Sequence, residues 1–358
     1  MAITAACGWL FLKPFNYPEP GAQIPMATNQ QILINNLPTG KLQASDYKLA
    51  DAPIAEPRED EVLIETTAFA ITAGTRAGLQ GSASYAGAPK TGVVMNGTGV
   101  GRVIESNAPG FNVGDSVQAP TGWQTHSVHA SKLVSKIAPG DDPVAYLGPL
   151  GVNGLTAYFG LLDIGQPNSG DIVMVSAAAG SVGHMVGQIA AIKGARAVGI
   201  ASSDRKVATL TNELGFAAGV NYREDNYREA LKAATPDGVD VYFDNTGGPI
   251  LGSALFRMNV GGRIACCGVV SQYDTDRPEP GPKGVPGLLV NKRITMRGFL
   301  VFDFAKDYEK ARADIRGWLA DGQMKMLVDE VQGLAAAPEA FVDLLAGGNV
   351  GTRVVRLS

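Results

Sequence analysis

The sequence predicts an α/β protein in which a doubly wound parallel sheet interrupts a β-rich, partly closed barrel. Three observations predict it. Asp171-Ile-Val-Met-Val-Ser-Ala-Ala-Ala-Gly-Ser-Val-Gly183 reads as a buried strand, a small-residue turn and the start of a helix. After Pro149, apolar runs alternate with helical patterns as far as Cys267, which is the signature of a doubly wound sheet. Before Pro149, glycine-rich strands dominate, and the tail returns to β structure. The first unit is therefore expected to be discontinuous, over 26–152 and 318–358, with the parallel sheet in 153–317.

In chain order, residues 1–25 carry Gly, Pro and aromatics without a period and read as an extension. Their apolar stretch Ala5–Leu12 has no positive segment before it, so it makes a poor secretory signal. Val62–Ile71 reads as a long strand, Gly97–Glu105 as a glycine-rich one, and Phe111–Val117 as a turn into another. The second unit reads as helix Asn153–Leu162, strand Ile172–Val175, helix Ser181–Lys193, strand Ala197–Ala201 and helix Arg205–Glu213. A strand at 219–221 follows, then helix Asn226–Ala234, strand Val239–Asp244, helix Gly248–Met258 and strand Gly262–Cys267. The proline- and glycine-rich stretch Arg277–Pro286 is expected to be a loop overhanging a cleft. The tail reads as an amphipathic helix Ala305–Leu319, strand Met324–Val331, helix Ala337–Leu345 and strand Arg353–Leu357.

With 358 residues, 45% hydrophobic, the chain can build two cores. A formal charge of −4 with scattered basic residues gives no electrostatic case for nucleic acid or an anionic membrane. No apolar run approaches the ~18–20 residues of a membrane span. The cysteines are Cys7 and the adjacent pair Cys266 and Cys267, and neighbours in sequence rarely bridge. A reducing, cytoplasmic location is expected. There is no C-x-x-C, and His126, His129 and His184 come with no ligand cluster, so no metal site is expected. His126 and His129 read instead as residues of a strand or its edge.

The turn Ala177-x-x-Gly180-x-x-Gly183 sets a helix N-terminus against a strand end, where a pyrophosphate meets unpaired N–H groups and the positive dipole end. Ala179, Gly180, Ser181 and Val182 are the expected contacts. A dinucleotide site selective for NAD carries an acidic side chain at the end of the second strand. Here that strand ends in Ser202 and Ser203, followed by Asp204, Arg205 and Lys206. Hydroxyls and a cation suit a 2′-phosphate, so the pattern favours NADPH over NADH. Asp204 is expected to face solvent or cap the following helix. Asn245 and, one strand later, Gly268 and Val269 lie at carboxyl ends of strands, where ligands collect.

At this point the chain resembles the zinc-independent medium-chain dehydrogenase/reductase superfamily. Within it, it resembles the branch of prostaglandin reductases, plant 2-alkenal double-bond reductases and curcumin-reductase-like enzymes. The matching segments are Val113-Gly-Asp115, Gly154-Leu-Thr-Ala-Tyr158, Ser176–Gly183, Asp240–Gly248, Cys267–Tyr273, Arg297-Gly-Phe299 and Asn349-Val-Gly351. The resemblance implies a Rossmann fold with a GroES-like barrel, an NADPH cofactor and a homodimer. It assigns the phosphate contact to Lys206, an adenine-side contact to Tyr222, the nicotinamide border to Phe299 and Val301, and further cofactor contacts to Asn245 and Asn349. Thr156 and Tyr158, at a helix start, are expected to face the same cleft. Tyr85 and Arg76 match the family's substrate region. Where members carry V-D-P-x-M-R, this chain has Ile71-Thr-Ala-Gly-Thr-Arg76, with Gly74 in place of an aromatic, so a reshaped substrate pocket is expected.

The expected reaction is hydride transfer from NADPH to the β-carbon of an α,β-unsaturated ketone or aldehyde, with stabilisation of the developing oxyanion as the main protein contribution. Tyr273 is the expected donor, since a phenol with a pKa near 10 can give a hydrogen bond at neutral pH; alternatively it only walls the pocket. Cys266 and Cys267 read as buried strand residues rather than nucleophiles. Competing readings are a zeta-crystallin-like quinone reductase and a non-catalytic NADPH-binding regulatory protein.

Overall fold

The computed structural model describes residues 28–81, 88–277 and 280–357. The expected extension 1–25 and the candidate Tyr85 lie outside the described residues. The first unit contains strands β1 (Thr28–Ile34), β2 (Tyr47–Pro53) and β3 (Glu61–Ile71), then helix α1 (Gly74–Leu79). It continues with β4 (Gly99–Ser106), β5 (Ser116–Ala119), β6 (His126–Ala130) and β7 (Ser135–Lys136). The second unit begins with α2 (Val152–Phe159), β8 (Ile172–Val175), α3 (Gly183–Ile192), β9 (Arg196–Ala201), α4 (Asp204–Glu213) and β10 (Ala218–Asn221). Next come α5 (Tyr227–Ala234), β11 (Val239–Asp244), α6 (Gly248–Arg257), β12 (Met258–Cys266), α7 (Val285–Lys292) and β13 (Thr295–Gly298). The chain ends with α8 (Tyr308–Ala320), β14 (Val328–Gln332), α9 (Ala337–Leu345) and β15 (Thr352–Arg356).

Among the described residues, β8 to β13 form a parallel sheet of order β10-β9-β8-β11-β12-β13. Ile172–Val175 is apolar throughout, so β8 takes a central place and is buried at every position. The chain runs outward from β8 to β10, then returns to β11 on the other side. The carboxyl ends of β8 and β11 therefore face a switch point, the place where such sheets bind ligands. The first residues beyond the two strands are stitched together. The Asn245 N–H donates to Ser176 Oγ at 2.9 Å, and Asn245 Nδ2 donates to the Ser176 carbonyl at 2.8 Å.

The other large sheet runs β14-β15-β3-β4-β5-β7, with β6 also on β3. β15 lies antiparallel to β3, with Val354 opposite Ala70, and β14 pairs parallel to β15. The tail thus completes the first sheet. His126 and His129 both lie in β6, paired to β3. One apolar core runs through both units, joining Val100, Leu150 and Val354 to Leu155, Val173, Met185 and Ile189. A second core gathers on Trp123, which stacks on Tyr47 and Phe69 and meets Phe341 edge-on.

Several elements differ in their bounds from the sequence patterns; β12, for one, begins at Met258 rather than Gly262. The helix expected to reach Leu162 ends its α turns at Phe159 and continues as a π-helical turn, Gly160–Gly165. Gly160 lies against aromatic rings there; a Cβ would come within 2.7 Å of Phe243 Cε2. The strand expected from Met324 begins only at Val328, because the Lys325 and Leu327 N–H groups are taken by side chains of α3 rather than by a neighbouring strand. The helix expected from Ala305 begins at Tyr308, after a 3₁₀ stretch Val301–Asp307.

Candidate active site

A cavity of about 650 Å³ opens at the switch point, between the parallel sheet and the first unit. One wall is the turn between β8 and α3, where Ala179, Gly180, Ser181 and Val182 all line the space. A Cβ on Gly183 would sit 2.4 Å from the Ala177 carbonyl oxygen, so only glycine lets helix and strand approach this closely. Ala177 itself is in the left-handed region at φ 47°, doing with a side chain what glycine usually does.

The turn is fastened to the tail of the first unit. Gly351 N–H donates to the Ala179 carbonyl at 2.8 Å, and Ser181 Oγ lies 3.4 Å from the Gly351 carbonyl. His184 Nδ1 is 2.8 Å from the Gly180 carbonyl, so that nitrogen carries the proton, which leaves Nε2 to accept Leu327 N–H at 3.4 Å. The Nε2 contact requires the neutral ring, and complete burial pushes the His184 pKa down to about 4. One turn along α3, Gln188 Nε2 donates to the Lys325 carbonyl while its Oε1 accepts the Lys325 N–H.

The cavity also takes in Ser202, Lys206 and Tyr222, together with Arg223, which was not among the expected residues. Lys206 Nζ donates to the Gly347 carbonyl at 2.7 Å, and Arg223 Nη2 to the Ala346 carbonyl at 3.3 Å. The Arg223 guanidinium also lies over the Tyr222 ring, 5.9 Å from its centroid. Burial, and then the Arg223 charge, hold the Lys206 pKa below its usual range. Two cations converging on one corner make a site for a doubly charged anion. Arg223 was legible in principle, since it follows β10 at a strand's carboxyl end. Ser203 does not line the cavity; it caps α4, its Oγ accepting the Lys206 N–H at 3.4 Å. Asp204 is exposed in the first turn of α4, where it accepts from Asn221 at 3.0 Å, so the cap belongs to Ser203.

Asn245, Gly268, Tyr273, Phe299, Val301, Asn349 and Thr156 of α2 also line the cavity. The Tyr273 hydroxyl accepts the Val269 N–H at 3.3 Å, and a Cβ on Gly268 would lie 3.3 Å from that oxygen. The ring is thus seated on the end of β12. Val269 supports Tyr273 through its backbone and does not itself line the space. Phe299 serves two ends, lining the cavity and meeting Phe243 edge-on at 6.3 Å. Asn349 Nδ2 donates to the Gly351 carbonyl at 2.9 Å.

Beneath this floor, buried Asp244 accepts from the Tyr242 hydroxyl at 2.8 Å and from the N–H groups of Thr246 at 3.0 Å and Gly247 at 2.8 Å. Its carbonyl takes the Cys267 N–H at 2.8 Å. One residue therefore organises two of the loops that line the cavity, through its carboxylate and its backbone carbonyl. Cys267 was expected to be buried in a strand. It stands just past β12 and lines the cavity, but burial and the Asp244 charge push its thiol up to about 12, so it stays protonated.

Besides Ser203 and Val269, two further expected residues stay outside the cavity. Tyr158 turns away from the cavity, its hydroxyl 2.6 Å from Asp314 and its ring stacked on Trp318. Arg76 does not line the cavity either. It is wholly buried, and its guanidinium is committed to Asp274 and the Gly40 carbonyl. From the same part of the chain, Thr72, Ala73, Gly74 and Thr75 line the cavity instead, with Asn96. Among the described residues, no group of three or more His, Cys, Asp or Glu could hold a metal ion.

The residues fit a dinucleotide along the whole cavity: a close-approach turn at a helix start, two cations at one end, and amide and hydroxyl groups at the other. The comparisons agree with this geometry. Residues 30–137 match the family described as the N-terminal domain of oxidoreductase, and residues 181–316 match the zinc-binding dehydrogenase family. The chain belongs to the medium-chain dehydrogenase/reductase superfamily, in its zinc-independent branch. It is 39% identical to prostaglandin reductase 1 of Bos taurus over 87% of this chain and 94% of that protein. It is 36% identical to the NADP(+)-dependent 2-alkenal reductase of Nicotiana tabacum, covering 92% of this chain and 98% of that one. The crystal structure of CurA with NADPH from Vibrio vulnificus superposes with a TM-score of 0.88 at 36% identity, covering 92% and 99% of the two chains.

Proposed function

We propose that this protein reduces the carbon–carbon double bond of α,β-unsaturated ketones and aldehydes with NADPH. The observation that carries the reading is the cavity itself: Lys206 and Arg223 converge at one end, and the Tyr273 hydroxyl projects over the end of β12 at the other. NADPH would be held by the turn Ala179–Val182, Lys206, Arg223, Tyr222, Asn245 and Asn349, and when bound it supplies the hydride. The Tyr273 hydroxyl donates a hydrogen bond to the substrate carbonyl oxygen as negative charge grows there. Asn245, held by Ser176, and Phe299, held by the core, fix the floor on which the reacting groups meet. Thr72, Ala73 and Gly74 leave their part of the cavity open, so the site admits substrates with bulk beyond the enone. That 2-alkenal and prostaglandin reductases are relatives supports the class of substrate.

NADPH oxidation followed with a panel of enones, enals and quinones tests the reading. Turnover is expected with enones and enals; turnover with quinones alone would overturn it. Tyr273→Phe is expected to lower turnover by about 10- to 100-fold with the affinity for NADPH kept. Unchanged turnover would make Tyr273 a wall residue. The protein is read as a cytoplasmic homodimer. β13 lies at the edge of its sheet, and exposed Phe256, Val260 and Val290 lie on the neighbouring α6, β12 and α7.

A further inference from the structure

Arg76 has no exposed surface, and it sits far in sequence from everything that neutralises it. Its Nε donates to Asp274 Oδ1 at 3.0 Å and its Nη2 to the Gly40 carbonyl at 2.6 Å. The same Asp274 oxygen accepts the Leu42 N–H at 2.7 Å. At the end of α1, Gln80 Nε2 donates to the Thr275 carbonyl at 3.3 Å. Arg76, Gln80, Gly40 and Leu42 all belong to the first unit, whereas Asp274 and Thr275 directly follow Tyr273 in the loop beyond β12. The segment carrying the tyrosine is therefore fastened to the first unit. A guanidinium without solvent needs a partner for its charge, so the loop is held where Asp274 can meet Arg76.

Tyr273 is consequently held from two sides. Its hydroxyl is seated on Val269 and Gly268 of the parallel-sheet unit, and the backbone just after it is drawn toward α1. We infer that the Arg76–Asp274 ion pair is a positioning device for the reaction, setting the Tyr273 hydroxyl over the reacting end of the cavity while touching neither cofactor nor substrate. The inference rests on the proposed role of Tyr273. Displacing a reacting group by about 1 Å can cost on the order of 10²-fold in rate, so a fastening of this kind has a kinetic readout.

The test is a double-mutant cycle of Asp274→Asn with Tyr273→Phe, read as the single-turnover rate of NADPH oxidation by a medium-chain 2-alkenal. The affinity for NADPH and the melting temperature are measured alongside. Asparagine keeps the oxygen that accepts from Arg76 and Leu42 but removes the charge. Arg76→Lys, the second variant, keeps the buried cation but removes the fork that reaches both Asp274 and Gly40. Each is expected to slow turnover about tenfold or more with NADPH affinity changed less than twofold, and to cost less than twofold further when Tyr273 is already phenylalanine. Losses that multiply with an impaired Tyr273→Phe would overturn the inference and leave the role of Tyr273 standing. Full activity of both charge-pair variants, or loss of NADPH binding in both, would overturn it too. If Tyr273→Phe itself turned over normally, the proposed role of Tyr273 would fail, and the inference with it.

Discussion

We propose that cofactor choice turns on Lys206 and Arg223, which line the same cavity. Each now spends its charge on a backbone carbonyl, of Gly347 and Ala346, in the corner where a ribose phosphate would lie. A charge-assisted contact is worth roughly 1.5–3 kcal/mol, so Lys206→Ala should raise the KM for NADPH on the order of 10- to 100-fold and leave that for NADH nearly unchanged. Arg223→Ala should act in the same direction with a smaller effect, because its charge also rests on the Tyr222 ring. Steady-state kinetics with both coenzymes would check the pair, and equal effects on NADPH and NADH would remove them from phosphate recognition. A second residue-scale prediction concerns Ala177. Its left-handed backbone, φ 47°, costs on the order of 1 kcal/mol relative to glycine. Ala177→Gly should therefore stabilise the protein by up to about that amount in urea unfolding, with the cavity intact.

Among the elements, α3 binds the two units through one face of its first turns. His184 and Gln188 reach the Lys325–Leu327 segment, and that segment consequently enters β14 late. The folded protein holds the His184 ring neutral down to about 4, whereas an unfolded histidine takes a proton near 6.5. Between these values the unfolded chain binds more protons, so stability is full above about 6.5 and falls as the pH drops toward 4. The fall ascribable to this ring is up to about 3 kcal/mol. Urea unfolding between pH 7.5 and 4.5 should show it, and the difference between wild type and His184→Asn should shrink across that window. A constant difference would mean that burial does not set the titration of this ring.

For α3 itself, the local pattern sufficed. Apolar residues before Ser176 and small residues after it specify strand, turn and helix, and the structure keeps that order with its start at Gly183 rather than Ser181. The partners of His184 were not legible, because Leu327 lies 143 residues away and no local period encodes the pairing. The same holds for Arg76, whose ion pair spans 198 residues. A pattern places an arginine in the substrate region; only the docking of two units decides whether it faces ligand or carboxylate.

The whole molecule is knit by a core that crosses from one unit to the other, with Val100 and Val354 packed into the same cluster as Val173 and Ile189. Burial on this scale argues against free swinging of the units and for a cavity largely formed before ligand arrives. No described helix is long and apolar enough to cross a membrane. The exposed apolar residues by the β13 edge predict association. Sedimentation should give twice the chain mass of 37.3 kDa, and Val290→Asp with Phe256→Asp should lower it toward a monomer. A wild-type monomer at micromolar concentration would remove the dimer.

By itself the sequence determined the alternation of strands and helices, the close-approach turn and the serine–lysine corner, because each is written in residues that are neighbours along the chain. Only the tertiary structure decided that Arg223 joins Lys206, that Tyr158 and Arg76 leave the cavity for carboxylate partners, and that small residues of α1 and its approach line the cavity. Those outcomes depend on tertiary packing: Arg223 comes beside Lys206 from the end of a neighbouring strand, while Tyr158 and Arg76 find carboxylates more than a hundred residues away, partners set by burial and geometry rather than by local pattern.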